Sequence, residues 1–137
     1  MILETLRESL ELHEGRKPKL YRDTNNHWTG GVGHNFDEPM DDELIDLILD
    51  YDIRRSVKEL DRAFKGWREH DDVRQNVLVE LQFNMGAVVL GRFKQFWAAM
   101  QRKDYATAAD ELLDSAWAGQ VGERAETLAE RIRHGIQ

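Results

Sequence analysis

The sequence contains no cysteine. This absence excludes a disulfide framework and any metal or redox site built on thiolates, and it is consistent with folding in a reducing compartment. A long hydrophobic run is also missing, because no window has the length and uniform apolarity of a membrane span. Glutamates interrupt the leucines of the N-terminal segment, where a signal peptide needs an unbroken apolar core. We therefore expect no unaided export and no stable membrane association.

Basic residues are in deficit, with 19 Lys and Arg against 26 Asp and Glu and a net charge of −7. Nucleic acids attract proteins with an excess of Lys and Arg, so we predict no nucleic-acid partner. Residues 37–52 hold many acids and no base. This run lacks the Asp-x-Asp-x-Asp-Gly order of an EF-hand and includes the first turn of a predicted helix, where acids are common. We predict no metal site and no cofactor.

Apolar residues at spacings of three and four predict a mostly helical chain. The predicted helices are 2–13, a long helix from the N-cap Asp41 to about Ala63, a helix from about Val73 to Gly86, and short helices at 93–102, 105–113, 115–118 and 123–133. Two strands, 19–23 and 27–34, are predicted to form a hairpin through 24–26. Glycines at 30, 31 and 33 suit a second strand only if another backbone or a ligand comes close.

Two acids and one hydroxyl lie on or beside this hairpin. Glu14 falls where the first helix ends, since Gly15 is suited to a C-terminal cap, and Asp23 falls at the end of a strand. Cleavage of a glycosidic bond needs one acid to protonate the leaving oxygen and a second group to deliver water or a nucleophile. Thr29 adds a hydroxyl that can orient a water. From spacing alone, a polar surface hairpin with two solvated acids explains the same residues.

The combined pattern is more specific. The string HEG-x5-Y-x-D-x5-T-x-G-x-G-H, which contains Glu14, Asp23 and Thr29, resembles the Glu-x8-Asp-x5-Thr signature of phage-type lysozymes, the endolysins of glycoside hydrolase family 24. Later segments also resemble the family: Phe83-Asn84-Met85-Gly86, Gly91-Arg92-Phe93, and Trp117 followed by Gln120 and Arg124-Ala125. The resemblance therefore covers nearly the whole chain.

The resemblance implies roles for these residues. Glu14 becomes the general acid, Asp23 and Thr29 position the attacking water, and the anomeric configuration is inverted. It implies substrate contacts by Trp28, Gly31, Phe83 and Gln120, and supporting roles for His34, Asp52 and Arg124. His34 is expected to pair with Asp52 on the long helix, and Arg124 is expected near Glu14. Packing explains Trp28 equally well, and it is the preferred explanation for Trp67, Trp97 and Trp117.

The fold class that follows is α+β, predominantly helical, with a two-lobe lysozyme-like architecture in a single domain of residues 1–137. The predicted small β-hairpin lobe comprises 13–52, the rest of the linking helix 53–63, and the helical lobe 1–12 and 64–137. Relatives often carry a bulky apolar residue where Gly30 stands, so we expect a looser hairpin there.

The function that the resemblance implies is hydrolysis of the β-1,4 bond between N-acetylmuramic acid and N-acetylglucosamine in bacterial peptidoglycan, by a monomer that serves host cell lysis. We expect accumulation in the cytoplasm of the host bacterium and release to the wall through holes made by another protein. Two alternatives stay open: a non-catalytic glycan- or protein-binding module on the same scaffold, and a lytic transglycosylase. The transglycosylase would use Glu14 without needing Asp23 to position water.

Overall fold

The helices and strands follow the apolar periodicity of the sequence closely. The structure, a computed structural model, describes residues 1–137. Its elements in chain order are α1 Leu3–Glu14, β1 Lys17–Arg22, β2 Trp28–Gly31, β3 His34–Asn35, α2 Asp42–Ala63, a 3-10 helix Trp67–Glu69, α3 Asp72–Leu90, α4 Lys94–Gln101, α5 Tyr105–Leu113, α6 Ala116–Val121 and α7 Glu123–His134. Seven helices and one small antiparallel sheet confirm the predicted fold class.

The chain divides into two compact units, residues 1–47 and residues 48–137. The boundary falls inside α2, which is a continuous helix. Helix α1 belongs to the first unit in this division. The lobe boundaries expected from the sequence, including the assignment of residues 1–12 to the helical lobe, stay a prediction.

In the first unit, α1 ends where the sequence predicts. The N–H of Gly15 donates to the carbonyl of Glu11 over 2.9 Å, and Gly15 adopts a φ of 76° that L-residues rarely accept. Glu14 is therefore the last helical residue. The sheet has the order β1-β2-β3, with Tyr21 opposite Thr29. The turn between β1 and β2 is closed by Asp23 and His27, whose backbone N–H and carbonyl are 2.9 Å apart.

The second predicted strand is divided in two. Val32 and Gly33 form a turn, after which β3 pairs back on β2 with Gly30 opposite His34. Gly31 and Gly33 have φ values of 59° and 66°, a region where a side chain is strained. The glycines that weakened the strand prediction therefore reverse the chain.

The space beside Gly30 is filled by its neighbours. Gly30 is buried, and a Cβ atom there would lie 2.7 Å from Leu20 Cδ2 and 3.2 Å from a ring carbon of Phe36. The large residue expected at this position in relatives is thus replaced by Leu20 and Phe36, which pack over the glycine. Gly30 therefore leaves no gap in the hairpin.

The second unit holds the hydrophobic core. Helix α5 packs against α4 and α7, and α3 packs against α7. The fully buried large side chains are Phe96, Leu60, Leu78, Leu81, Leu90, Met100, Leu112, Leu128, Ile132 and Val77. The predicted packing roles of the three tryptophans are confirmed, since Trp67 and Trp117 are buried and Trp97 stacks on Phe64 with ring centroids 4.2 Å apart.

Helix α3 does not end at Gly86. Gly86 has non-helical angles, φ 77° and ψ 164°, as a helix terminus would, but the chain then resumes a helical path to Leu90. The N–H of Gly91 closes this last turn on the carbonyl of Ala87 over 2.8 Å. Gly86 therefore marks a kink in the helix. Apolar periodicity alone does not distinguish such a kink from the end of a helix.

A polar cluster joins three elements of the second unit. His70 is buried and its Nδ1 lies 2.8 Å from the hydroxyl of Tyr105 at the start of α5. The guanidinium of Arg74 lies 3.5 Å from the centre of the Tyr105 ring, and its Nε donates to the carbonyl of Ile132 on α7 over 2.6 Å. Burial, with a smaller contribution from the charge of Lys103, lowers the pKa of His70 below its ordinary value of 6.5. The folded state therefore favours neutral His70.

We predict that His70 makes stability pH-dependent. As pH falls through 6.5, His70 of the unfolded chain gains a proton before the folded form does, so the free energy of unfolding decreases. The decrease ends once the pH is below the lowered folded pKa. His70→Asn removes this pH-dependent contribution. The difference in the free energy of unfolding between wild type and variant, measured in urea, should therefore be smaller at pH 5.5 than at pH 7.5. A constant difference would contradict the assignment.

A second prediction concerns Gly30. Gly30→Val should lower the free energy of unfolding by about 1–3 kcal/mol, because the new side chain overlaps Leu20 and Phe36. Adding Leu20→Ala opens space for it. The double variant should be at least about 1 kcal/mol more stable than the sum of the single losses in urea unfolding, since contacting residues couple. Additive losses would show that Leu20 does not fill the space beside Gly30.

Candidate active site

Glu14 is presented at the C-terminal end of α1 with its side chain exposed. No side-chain hydrogen bond holds its carboxylate. The carboxylate lies against Gly33 in the turn between β2 and β3, because a Cβ atom at Gly33 would be 2.8 Å from Glu14 Oε2. The first predicted catalytic acid is thus beside the turn that follows the strand of Thr29.

Asp23 directly follows β1 and is half-buried. Its Oδ1 accepts the backbone N–H groups of Asn25 over 2.9 Å and His27 over 2.8 Å. This is an Asx turn, in which a short carboxylate substitutes for a backbone acceptor. Both bonds fall on one oxygen, which leaves Oδ2 available to a group outside the protein.

Thr29 lies on β2 and is 5% exposed. Its hydroxyl donates to the carbonyl of His27 over 3.0 Å, and the same carbonyl accepts the N–H of Asp23 over 2.9 Å. Since the Thr29 proton is already committed, the hydroxyl oxygen can act only as an acceptor toward a further group. The backbone N–H and carbonyl of His27 therefore hold both Asp23 and Thr29 in place.

His27 and Asp37 are contributors that the sequence did not reveal. Asp37 Oδ2 lies 3.2 Å from His27 Nδ1 and accepts the backbone N–H of Trp28 over 3.2 Å. The backbone N–H of Asp37 donates to Asn35 Oδ1 over 2.9 Å. Asp37 thus ties the start of β2 to the end of β3. Its position in an acidic run suggested a solvated or cation-binding residue, and no spacing rule indicates this contact.

Trp28 and His34 are on the other face of the sheet from Thr29. Adjacent strand residues point to opposite faces, which separates Trp28 from Thr29. The guanidinium of Arg22 lies 4.2 Å from the centre of the Trp28 ring, and the rings of His34 and Phe36 meet edge-on with centroids 4.6 Å apart. Each side chain thus has an aromatic or cationic neighbour, and both remain exposed. Substrate contacts by Trp28 and Gly31 stay predictions.

The remaining predicted residues belong to the second unit. Phe83 on α3 and Gln120 on α6 are exposed, and their predicted substrate contacts stay untested. Arg124 on α7 pairs with Glu80, with Nη2 and Oε1 3.1 Å apart. Asp52 is half-buried on α2. The expected pairings of His34 with Asp52 and of Arg124 with Glu14 join residues of different units and stay predictions.

Asn84 is another residue that sequence reasoning left without a role. Its Oδ1 accepts the indole N–H of Trp117 over 2.6 Å and so ties α3 to α6. Asn84 follows Phe83 in the segment that resembles phage-type lysozymes. Trp117 is buried, and this bond satisfies its one polar group.

The structure contains no group of three or more His, Asp or Glu side chains that could hold a metal ion. Its helices include none with the length and apolar character that crossing a membrane requires.

The sequence model of the phage lysozyme family matches residues 11–134, a range that includes Glu14, Asp23 and Thr29 as well as the core helices. The chain belongs to the phage lysozyme family. It is therefore a glycoside hydrolase of the lysozyme type, and the predicted resemblance is confirmed.

Individual relatives support the same classification over the full length. Probable T4-type lysozyme 2 of Dictyostelium discoideum is 25% identical over 157 aligned positions, which cover 93% of this chain and 92% of the relative. Probable T4-type lysozyme 1 of the same organism is 23% identical over 164 positions, which cover 98% and 96%. The similarity is low in identity but extends across both units.

Proposed function

We propose that this protein hydrolyses the β-1,4 bond between N-acetylmuramic acid and N-acetylglucosamine in peptidoglycan with inversion at the anomeric carbon. The observation that carries the proposal is the shared anchoring of Asp23 and Thr29 by the backbone of His27. This anchoring leaves Asp23 Oδ2 and the Thr29 oxygen as two acceptor atoms on groups that are both bonded to the backbone of His27. A water that donates one proton to each has its own lone pair free for attack.

Glu14 supplies the proton for the leaving group in this mechanism. It is exposed at the end of α1, and no hydrogen bond within the first unit holds its carboxylate. A protonated Glu14 can approach a glycosidic oxygen without first breaking an internal bond. General acids of this kind contribute roughly two to four orders of magnitude to the rate.

In this mechanism one bond forms and one breaks at the anomeric carbon, and the protons pass between water, Asp23, Glu14 and the leaving oxygen. The water oxygen attacks the anomeric carbon and passes one proton to Asp23, while the bond from that carbon to the leaving oxygen breaks. Glu14 gives its proton to the leaving oxygen. Because water arrives on the face opposite the leaving group, the β-linked sugar is released as the α-anomer.

We propose that this activity serves lysis of a bacterial host cell and that the protein acts as a monomer. The support is membership of the phage lysozyme family together with the endolysin-like Glu-x8-Asp-x5-Thr signature. In this proposal the protein accumulates in the bacterial cytoplasm and reaches the wall through membrane holes made by another protein. The Dictyostelium relatives are named probable T4-type lysozymes, which supports the hydrolytic activity.

Replacing the general acid tests the assignment of Glu14. Glu14→Gln should fold normally but lower wall-clearing activity by roughly two to four orders of magnitude, because the amide cannot donate a proton as a carboxylic acid does. Turbidity loss of bacterial wall suspensions measures this. Glu8→Gln makes the same charge change on an exposed face of α1 and is the control, with activity near that of wild type. Near wild-type clearing by Glu14→Gln would overturn the assignment.

Product analysis tests the reaction itself. Hydrolysis should release reducing-end N-acetylmuramic acid, and proton NMR of the first products should show the α-anomer before mutarotation. Initial β-anomer would instead indicate retention. Anhydro-sugar products would identify a lytic transglycosylase, and binding of glycan without any product would identify a non-catalytic module.

A further inference from the structure

Gly33 occupies an unusual place beside the proposed general acid. A Cβ atom built on Gly33 would lie 2.8 Å from Glu14 Oε2, and 3.0 Å from both Cδ and Cγ of the same side chain. Separations below about 3.0 Å are not found for real Cβ atoms, so a side chain at position 33 would displace the Glu14 carboxylate from this place. The end of the Glu14 side chain occupies the space that such a side chain would need.

This contact is the constraint that limits where the Glu14 carboxylate can go on the hairpin side. Glu14 has no hydrogen-bond partner to fix its rotamer, in contrast to Asp23, which accepts two backbone N–H groups. The Glu14 side chain is exposed, and Gly33 is its neighbour on the hairpin. A side chain at 33 would push the acid away from the turn and toward solvent.

The turn gives a second reason for glycine at this position. Gly33 has a φ of 66°, in the left-handed region that side chains rarely adopt. Strain from that angle and contact with Glu14 are separate effects, and they can be separated by substitution. Asparagine tolerates a positive φ better than alanine does but still carries a Cβ atom.

We propose that Gly33 is a positioning residue for the general acid: by lacking a side chain it lets Glu14 rest on the β2–β3 turn in the orientation from which the proton is transferred. This proposal rests on the proposed role of Glu14. Misplacing a reacting group by about 1 Å can cost on the order of 100-fold in rate. We therefore expect Gly33→Ala and Gly33→Asn to lower kcat by about 100-fold, with KM changed much less.

The control is Gly66→Ala. Gly66 also has a positive φ, 88°, but a Cβ atom there meets nothing closer than 3.8 Å, and it lies in the second unit outside the proposed site. Gly66→Ala should lower the melting temperature through strain and leave kcat at the wild-type value below that temperature. Gly33→Asn should be less destabilised than Gly33→Ala and equally slow, because the Cβ contact is the same.

The decisive measurement is a double-mutant cycle with Glu14→Gln, using kcat on soluble peptidoglycan fragments and circular dichroism to verify folding. If Gly33 acts through Glu14, adding Gly33→Asn to Glu14→Gln should lower the residual rate by less than about twofold. An equal loss in both backgrounds would overturn the positioning role, as would kcat of folded Gly33→Asn near that of wild type. Full activity of Glu14→Gln itself would instead overturn the proposed function.

Discussion

The candidate active site depends on the backbone of one residue, His27. Its N–H donates to Asp23, and its carbonyl accepts both the N–H of Asp23 and the hydroxyl of Thr29. His27 lies directly before β2, and its backbone closes the hairpin on Asp23. The two proposed water-positioning groups therefore share one support, and Asp37 bonds to the side chain of His27 and to the backbone of Trp28 beside it.

The three proposed catalytic groups are held in different ways, and the difference matches their tasks. Asp23 and Thr29 are tied by hydrogen bonds, which suits groups that must define the place of a small water molecule. Glu14 is held by contact with a glycine rather than by a polar partner.

Much of the fold and the location of the candidate site were predictable from the sequence. Apolar spacing, the Gly15 cap and the Asp41 cap gave the helices to within a few residues, and the side chain of Asp41 accepts the N–H of Leu44 as a capping residue should. The sequence could not predict which side chains occupy the space beside a glycine. The filling of the Gly30 site by Leu20 and the contact of Gly33 with Glu14 depend on three-dimensional approach, which no periodicity records.

The course of the backbone after each glycine could not be predicted, for a related reason. The sequence marks where the backbone can leave regular geometry, but it does not say what the chain does next. At Gly86 the helix kinks and continues, whereas at Gly33 the strand reverses into β3. The outcome is decided by packing partners that lie elsewhere in the chain.

The proposed chemistry is confined to residues 14–29 and the turn that follows them, in a unit that ends at residue 47. Contacts between residues so near in sequence have low contact order, and such contacts form with a small loss of chain entropy. The arrangement of Asp23, His27 and Thr29 is therefore specified locally, by the hairpin itself. Catalytic geometry of this kind is encoded by a short continuous segment of the chain.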